Sequence, residues 1–197
     1  MTTVPHPEAR IGEVVEAGST EFAAECYTLY GAPPLGALVR VGDPAVYGVV
    51  YSVTTAALDP GRRVAARGAG EPDEASVYRN NPQIARLLAT HLQALVVGHD
   101  RAGTLAQRLP AAPPRIHAFV YCCDDANVLA FTEQLDYLHL LTTANVPAID
   151  EVIAANVRLT AEGRDDGDGF RERAAHTLAT ELANDVTRLN AILRGIA

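Results

Sequence analysis

Between residues 10 and 53 the chain runs in short β-rich bursts that punctuating residues keep from merging, and this pattern excludes a helical N-terminal half. The first burst is Arg10-Ile11-Gly12-Glu13-Val14-Val15-Glu16-Ala17, continued by Ser19-Thr20-Glu21-Phe22. A Pro33-Pro34-Leu35-Gly36 hinge leads into Ala37-Leu38-Val39-Arg40-Val41-Gly42-Asp43, and Val46-Tyr47-Gly48-Val49-Val50-Tyr51-Ser52-Val53 follows. β-Branched runs cut at this spacing by glycine, proline and aspartate are the mark of a small Greek-key β-barrel. Further strands are predicted over residues 92–99 and 116–121, separated by a turn at 100–103 and a proline-rich extended link at 110–114.

Between these strands, residues 62–67 follow an Asp59-Pro60-Gly61 turn and read as another strand or as a basic loop. A short helix is expected around 73–79. Asn81 as cap with Pro82 at the first helical position predicts one or two further turns over 83–88. From Asp124 onward the spacing becomes helical. Asp124 and Asp125 stand where an N-cap belongs, ahead of Val128, Leu129 and Phe131. Leu135, Leu138 and Leu141 indicate a short helix before Pro147, and a helix is predicted over 150–160 with Val152, Ile153 and Val157 on one side. The last predicted helix covers 170–196. Its Leu178, Leu182, Val186, Leu189, Leu193 and Ile196 form a seam close to a heptad repeat. Such a seam either packs on the rest of the chain or serves as a docking or oligomerising face. The expected fold class is therefore α+β, with a Greek-key-like β-barrel over residues 10–122, a helical insertion near 73–88, and a helical subdomain over 123–197. Residues 1–9 lack the basic and apolar regions of a signal peptide and are expected to be a flexible leader.

Composition narrows the chemistry. The 197 residues, 48% of them hydrophobic, suffice for one domain with a substantial core. No apolar run approaches the roughly 18 residues of a membrane span. Lysine is absent and all 16 basic side chains are arginines. A P-loop, which needs a lysine at the nucleotide phosphates, is thereby excluded, as are a lysine Schiff base and a Ser-Lys dyad. The net charge of −8 is concentrated in residues 123–197, where 13 acidic side chains face 6 arginines. That acidic third repels phosphate backbones and counts against nucleic acid as the direct ligand. Three cysteines, Cys26, Cys122 and Cys123, make a poor disulfide framework and point to a reducing cytoplasm.

Three groupings resemble functional sites. Cys122-Cys123-Asp124-Asp125, with His117 nearby, has the residue types of a metal site. However, adjacent side chains on a strand point to opposite faces, and zinc-ligand spacing is missing. Residues 164–169 (RDDGDG) carry the acidity of a calcium loop, but the first and twelfth positions would be Arg164 and Ala175, which cannot serve as ligands. An exposed acidic turn is expected there. Glu13, Glu16, Glu21 and Glu25 alternate with apolar residues and read as the solvated face of strands. His91, His99, His117, His139 and His176 accompany no recognisable nucleophile motif. Neither a metal nor a cofactor is expected. Arg62, Arg63 and Arg67, with Arg10 and Arg40, are candidates for a basic patch. Tyr27, Tyr30, Tyr47 and Tyr51 are the aromatic residues available beside it, either for stacking on bases or as anchors at a protein interface.

The Ile11-Gly12-Glu13-Val14 start, Ser19-Thr20-Glu21-Phe22, Leu35-Gly36-Ala37-Leu38-Val39 and Tyr47-Gly48-Val49-Val50 together resemble the HAS-barrel, the N-terminal β-barrel of HerA-type DNA translocases and of the catalytic-ring subunits of ATP synthase. The resemblance covers about residues 10–55, and reaches about residue 122 if the later strands complete the barrel. In those proteins the barrel precedes a P-loop ATPase domain, caps a ring of subunits and offers a docking surface. Here some 75 helical residues without lysine follow, so the resemblance implies the docking role and not ATP hydrolysis. The expected function is a non-catalytic interaction or assembly module acting on a protein partner or on itself. Its candidate contacts are Tyr47, Tyr51, Arg62, Arg63, Arg67, Leu178, Leu182, Val186, Leu189 and Leu193. The alternative is a nucleic-acid-binding accessory factor in DNA processing that uses the barrel arginines.

Overall fold

A computed structural model describes residues 10–59, 61, 63–101 and 103–197. The leader expected at 1–9 and the candidate contact Arg62 lie outside the described residues. The chain is α+β. Strands β1 (Arg10–Ala17), β2 (Glu21–Cys26), β3 (Leu38–Val41), β4 (Val46–Ala57), β5 (Leu88–Arg101), β6 (Thr104–Ala106) and β7 (Phe119–Cys122) precede most of the helices. Their order is β2-β1-β7-β3-β4-β5-β6, with every pairing antiparallel. One further pairing sets Glu21–Glu25 of β2 against Leu95–His91 of β5. That ladder joins the two ends, so six strands form a closed hydrogen-bonded circuit, with β6 as a short hairpin arm on β5. Closure removes the exposed edges that would invite pairing with other chains.

Strand alternation divides the apolar side chains between two cores. Val14, Phe22, Ala24, Val39, Val41, Val50, Leu92, Ala94, Val96 and Val120 fill the inside of the circuit. Their neighbours Leu38, Tyr47, Val49, Leu95 and Val97 point the other way and bury against the helices. These helices are α2 (Asp125–Phe131), α3 (Tyr137–Thr142), α4 (Ile149–Glu162), α5 (Gly167–Glu181) and α6 (Val186–Ile196), while α1 (Glu74–Asn80) lies in the β4–β5 connection. Gly98 on β5 lets the helical layer come close, since a Cβ there would stand 2.8 Å from the Phe131 ring.

The hinge predicted at 33–36 is where the two layers are fastened together. Gly36 has φ +83°, and a Cβ on it would fall 2.5 Å from the Asn156 backbone nitrogen. Only glycine meets both demands at low cost. Asn156, 1% exposed in the middle of α4, donates its amide to the Gly36 carbonyl at 2.8 Å and accepts the Tyr137 hydroxyl at 2.8 Å. Strand hinge, α4 and α3 therefore share one buried polar link whose groups satisfy one another.

Several local expectations are corrected. The single helix over 170–196 is two helices, α5 and α6, interrupted at residues 182–185. Asn184 and Asp185 compete with the helical backbone for hydrogen bonds, and the Asp185 carboxylate caps α6 by accepting the Arg188 N–H at 3.0 Å. Asn81 stands at the N-cap position with Pro82 following, as expected, but its side chain donates back to the Val77 carbonyl at 3.0 Å instead of capping, and the turn Pro82–Arg86 is 3-10 and not α-helical. The predicted strand at 92–99 begins earlier, at Leu88, because the long ladder with β4 recruits the preceding residues. At the last strand, residues 115–118 form a turn, the Ala118 N–H reaching the Arg115 carbonyl, and β7 begins at Phe119. Residues 63–67 form a loop, and the acidic 164–169 stretch is a turn at 164–166 followed by the first residues of α5.

Replacing Asn156 by leucine leaves the Gly36 carbonyl and the Tyr137 hydroxyl buried without partners, and should cost about 2–4 kcal/mol. Urea unfolding of the Asn156→Leu variant measures this. A loss below about 0.5 kcal/mol would show that the link does not fasten the layers.

Candidate ligand groove

The ends of β3, β4, β5 and β7 converge on one side of the strand circuit, and the connection 107–118 passes over them. Antiparallel register places Arg10 opposite Tyr121, Tyr121 opposite Arg40, and Arg40 opposite Tyr47. Directly opposed residues share a face, so arginine and tyrosine alternate across four neighbouring strands. The Arg40 guanidinium lies 4.5 Å from the Tyr121 ring centre. Arg10 sits 4.4 Å from the Phe119 ring and 5.6 Å from that of Tyr27. Tyr47 ends the row beneath the helices, buried and stacked on Phe131 at 4.8 Å. The row thus runs from the core out to a ledge where Tyr27 and Phe119 are 53% and 41% exposed.

Beside this ledge opens a groove of about 1720 Å³. One wall is the apolar stretch 109–114 (LPAAPP) with Ile116, and the opposite rim is the β3–β4 turn, which contains the cis Asp43-Pro44 peptide. Its charged lining is Arg40, Arg101, Arg108 and Arg115 against Asp43 and Asp100, joined by His99 and His117. Arg101, Arg108 and Arg115 are exposed, and among the described residues no carboxylate pairs with them. The wall is held at both ends. His99 Nδ1 meets the Arg108 carbonyl at 3.0 Å, while the His117 N–H bonds the Val14 carbonyl and the Ala118 carbonyl accepts from Val14. His117 adopts φ +64°, and its ring faces Glu13 at 3.3 Å, which also accepts from Tyr27.

The candidate contacts named from sequence are dispersed. Tyr47 reaches the groove only with its edge and is otherwise core. Tyr51 donates its hydroxyl to Glu21 at 2.7 Å, and burial and that carboxylate together push its ionisation well above the usual phenol range. Arg63 and Arg67 line a separate small cavity with Ala57 and Leu87, at the far end of β4 from the groove. Roughly 35 Å of strand separates the two places, so they do not join Arg10 and Arg40 in one patch. Leu178 and Leu182 are buried in the core, Leu189 and Leu193 pack half-buried against it, and Val186 is 60% exposed. The seam is therefore largely used within the chain.

Sequence reasoning missed Arg101, Arg108, Arg115, Phe119 and Tyr121 as a group. Their signal was weak but present: three arginines flanking an alanine-proline tract, just ahead of an aromatic strand. The cysteines are held as neutral thiols. Burial pushes Cys123 up to about 12, and raises Cys122 and Cys26 as well. Among the described residues no three His, Cys, Asp or Glu side chains are placed to share a metal ion, and no helix is long and apolar enough to cross a membrane. No protein-family model and no curated protein matches this chain.

Two measurements check this description. Alkylation of Cys123 by iodoacetamide in the native protein should be slower than in the unfolded chain, and labelling at equal rates would overturn the raised thiol ionisation assigned to this half-buried cysteine. At the start of α2, the Asn127 N–H and side chain hold the Asp124 carboxyl below its ordinary pKa. A lowered folded pKa gives stability that is present above the unfolded value of about 3.9 and is lost as pH falls through the folded one. Asp124→Ala should cost about 1 kcal/mol at neutral pH, and the gap in unfolding free energy from the parent should shrink under acid. A pH-independent gap would remove the charge from the cap's contribution.

Proposed function

We propose that this protein is a non-catalytic docking module, whose closed strand circuit is a small barrel of the HAS kind and whose helices brace that barrel. The observation that carries this reading is the arginine–aromatic ledge of Arg10, Tyr27, Phe119 and Tyr121 beside a preformed groove. Tyrosine and arginine dominate the energetics of protein interfaces because each presents a large, pre-organised contact area. The raised thiol ionisation of all three cysteines weighs against thiolate chemistry, and a chain without lysine lacks the phosphate-gripping residue of a P-loop. The resemblance of residues 10–55 to the HAS-barrel supports a role beside a larger assembly, with the motor supplied elsewhere.

The nucleic-acid reading has less to support it. Arg63 and Arg67 lie at the opposite end of β4 from Arg40, and one face of both Phe119 and Tyr121 is covered by a guanidinium. Bases would have to displace these cations or stack on the remaining faces.

The test is affinity purification from native lysate with the parent protein and with the Tyr27→Ala/Phe119→Ala double variant, whose fold is checked by thermal unfolding. A stoichiometric protein partner, or defined self-association, should appear with the parent and be lost with the variant. A monodisperse monomer without partner sinks the docking reading, and salt-dependent binding to single-stranded DNA would replace it with the alternative.

A further inference from the structure

The charge pattern of the groove specifies its occupant more closely than the docking reading on which this inference rests. In a chain of net charge −8, most acidic excess lies in the helices. Yet the groove gathers four arginines against two aspartates, and three of these arginines have no carboxylate partner among the described residues. Several arginines of the helical layer are spent internally: Arg188 on Asp150 and the Thr142 carbonyl, Arg164 on Asp166 and Thr132, Arg158 on the Gly195 carbonyl. Clustered, exposed and unpaired guanidiniums offer bidentate donors to carboxylates at no cost in broken pairs.

The lining between Arg108 and Arg115 is of different chemistry. Leu109, Pro110, Ala111, Ala112 and Pro113, with Ile116, present a largely apolar surface, and prolines contribute no N–H. A ligand that fits both kinds of lining carries carboxylates and apolar side chains close together along its length. Extended peptide does this by strict alternation. We propose that the groove binds an extended acidic segment of a partner protein, in which acidic and apolar residues alternate. A uniform polyanion, nucleic acid included, satisfies the arginines but leaves the apolar lining uncovered.

Fluorescence anisotropy on the full chain tests this with four probes of equal length. They are a labelled peptide of alternating glutamate and leucine, its lysine–leucine counterpart, polyglutamate and oligothymidylate. The glutamate–leucine peptide should bind best, and weaken as salt rises. Arg108→Ala with Arg115→Ala should weaken it about tenfold. Both side chains are exposed and have no carboxylate partner among the described residues, so the fold should survive. Equal binding of polyglutamate, preference for oligothymidylate, or affinity unchanged in the double variant each overturns the peptide assignment. If the peptide fails while a partner is still captured, docking stands and the groove's occupant is wrong. If both fail, the docking reading falls with it.

Discussion

The buried link through Asn156 ties this fold together. A polar side chain inside an apolar interface is costly unless every group on it is paired. Here the amide serves the Gly36 carbonyl and its oxygen receives the Tyr137 hydroxyl, so the pairing exists only when α3, α4 and the β2–β3 hinge sit in one relative position. Leucine and valine contacts would tolerate the helical layer sliding over the sheet by a fraction of a turn, whereas this link and the close approach at Gly36 do not. With the hinge fixed, the start of β3 is fixed, and with it the position of Arg40 in its row.

Two cores sharing one set of strands explain why a groove can exist at all. β4 and β5 bury side chains on both faces, and their central residues are accordingly apolar on both. The helices cover the outer face only as far as Tyr47 and Phe131. Beyond that point β7 and β1 carry arginine and aromatic residues outward, and the 107–118 connection passes over them. Gln107 anchors that connection to the helical layer, bonding the Phe131 and Gln134 carbonyls and the Tyr137 N–H. A loop tethered at both ends makes a wall that need not be ordered when a ligand arrives, which lowers the entropic cost of binding.

Much of the strand half was legible because its cause is local. Val39, Val41 and Val120 alternate with Leu38, Arg40 and Tyr121, and period-two alternation is visible without knowing any partner strand. The cap at Asp124 was legible for the same reason. Other features depend on contacts distant in sequence. Leu88 to His91 carry no strong strand signal and are drawn into β5 by β4, and closure by β2 against β5 spans about seventy residues. The interrupted C-terminal helix shows a third kind of limit. Its seam residues are correctly apolar, but Asn184 and Asp185 were overridden by the periodicity, although their competition with the backbone is a local signal. The candidate contacts were the least local reading, since Tyr47 and Arg63 both fit an interface by residue type, and only the tertiary fold puts Tyr47 in the core and Arg63 on the surface.

Arginines stand in distinct settings along the chain. Where a guanidinium enters the helical layer, it is consumed: Arg164 is nearly buried, stacks on Phe170 and spans Asp166 and Thr132. Where it stands on the strand circuit, Arg10 and Arg40 rest on aromatic rings, which orients the cation. Arg101, Arg108 and Arg115 at the groove have neither carboxylate nor ring among the described residues. Three such guanidiniums gathered at one mouth of the strand circuit leave hydrogen-bonding capacity there in an otherwise acidic molecule. An anionic partner binding there gains donors that no internal group competes for, and the acidic helices on the far side of Tyr47 set the direction from which such a partner can approach.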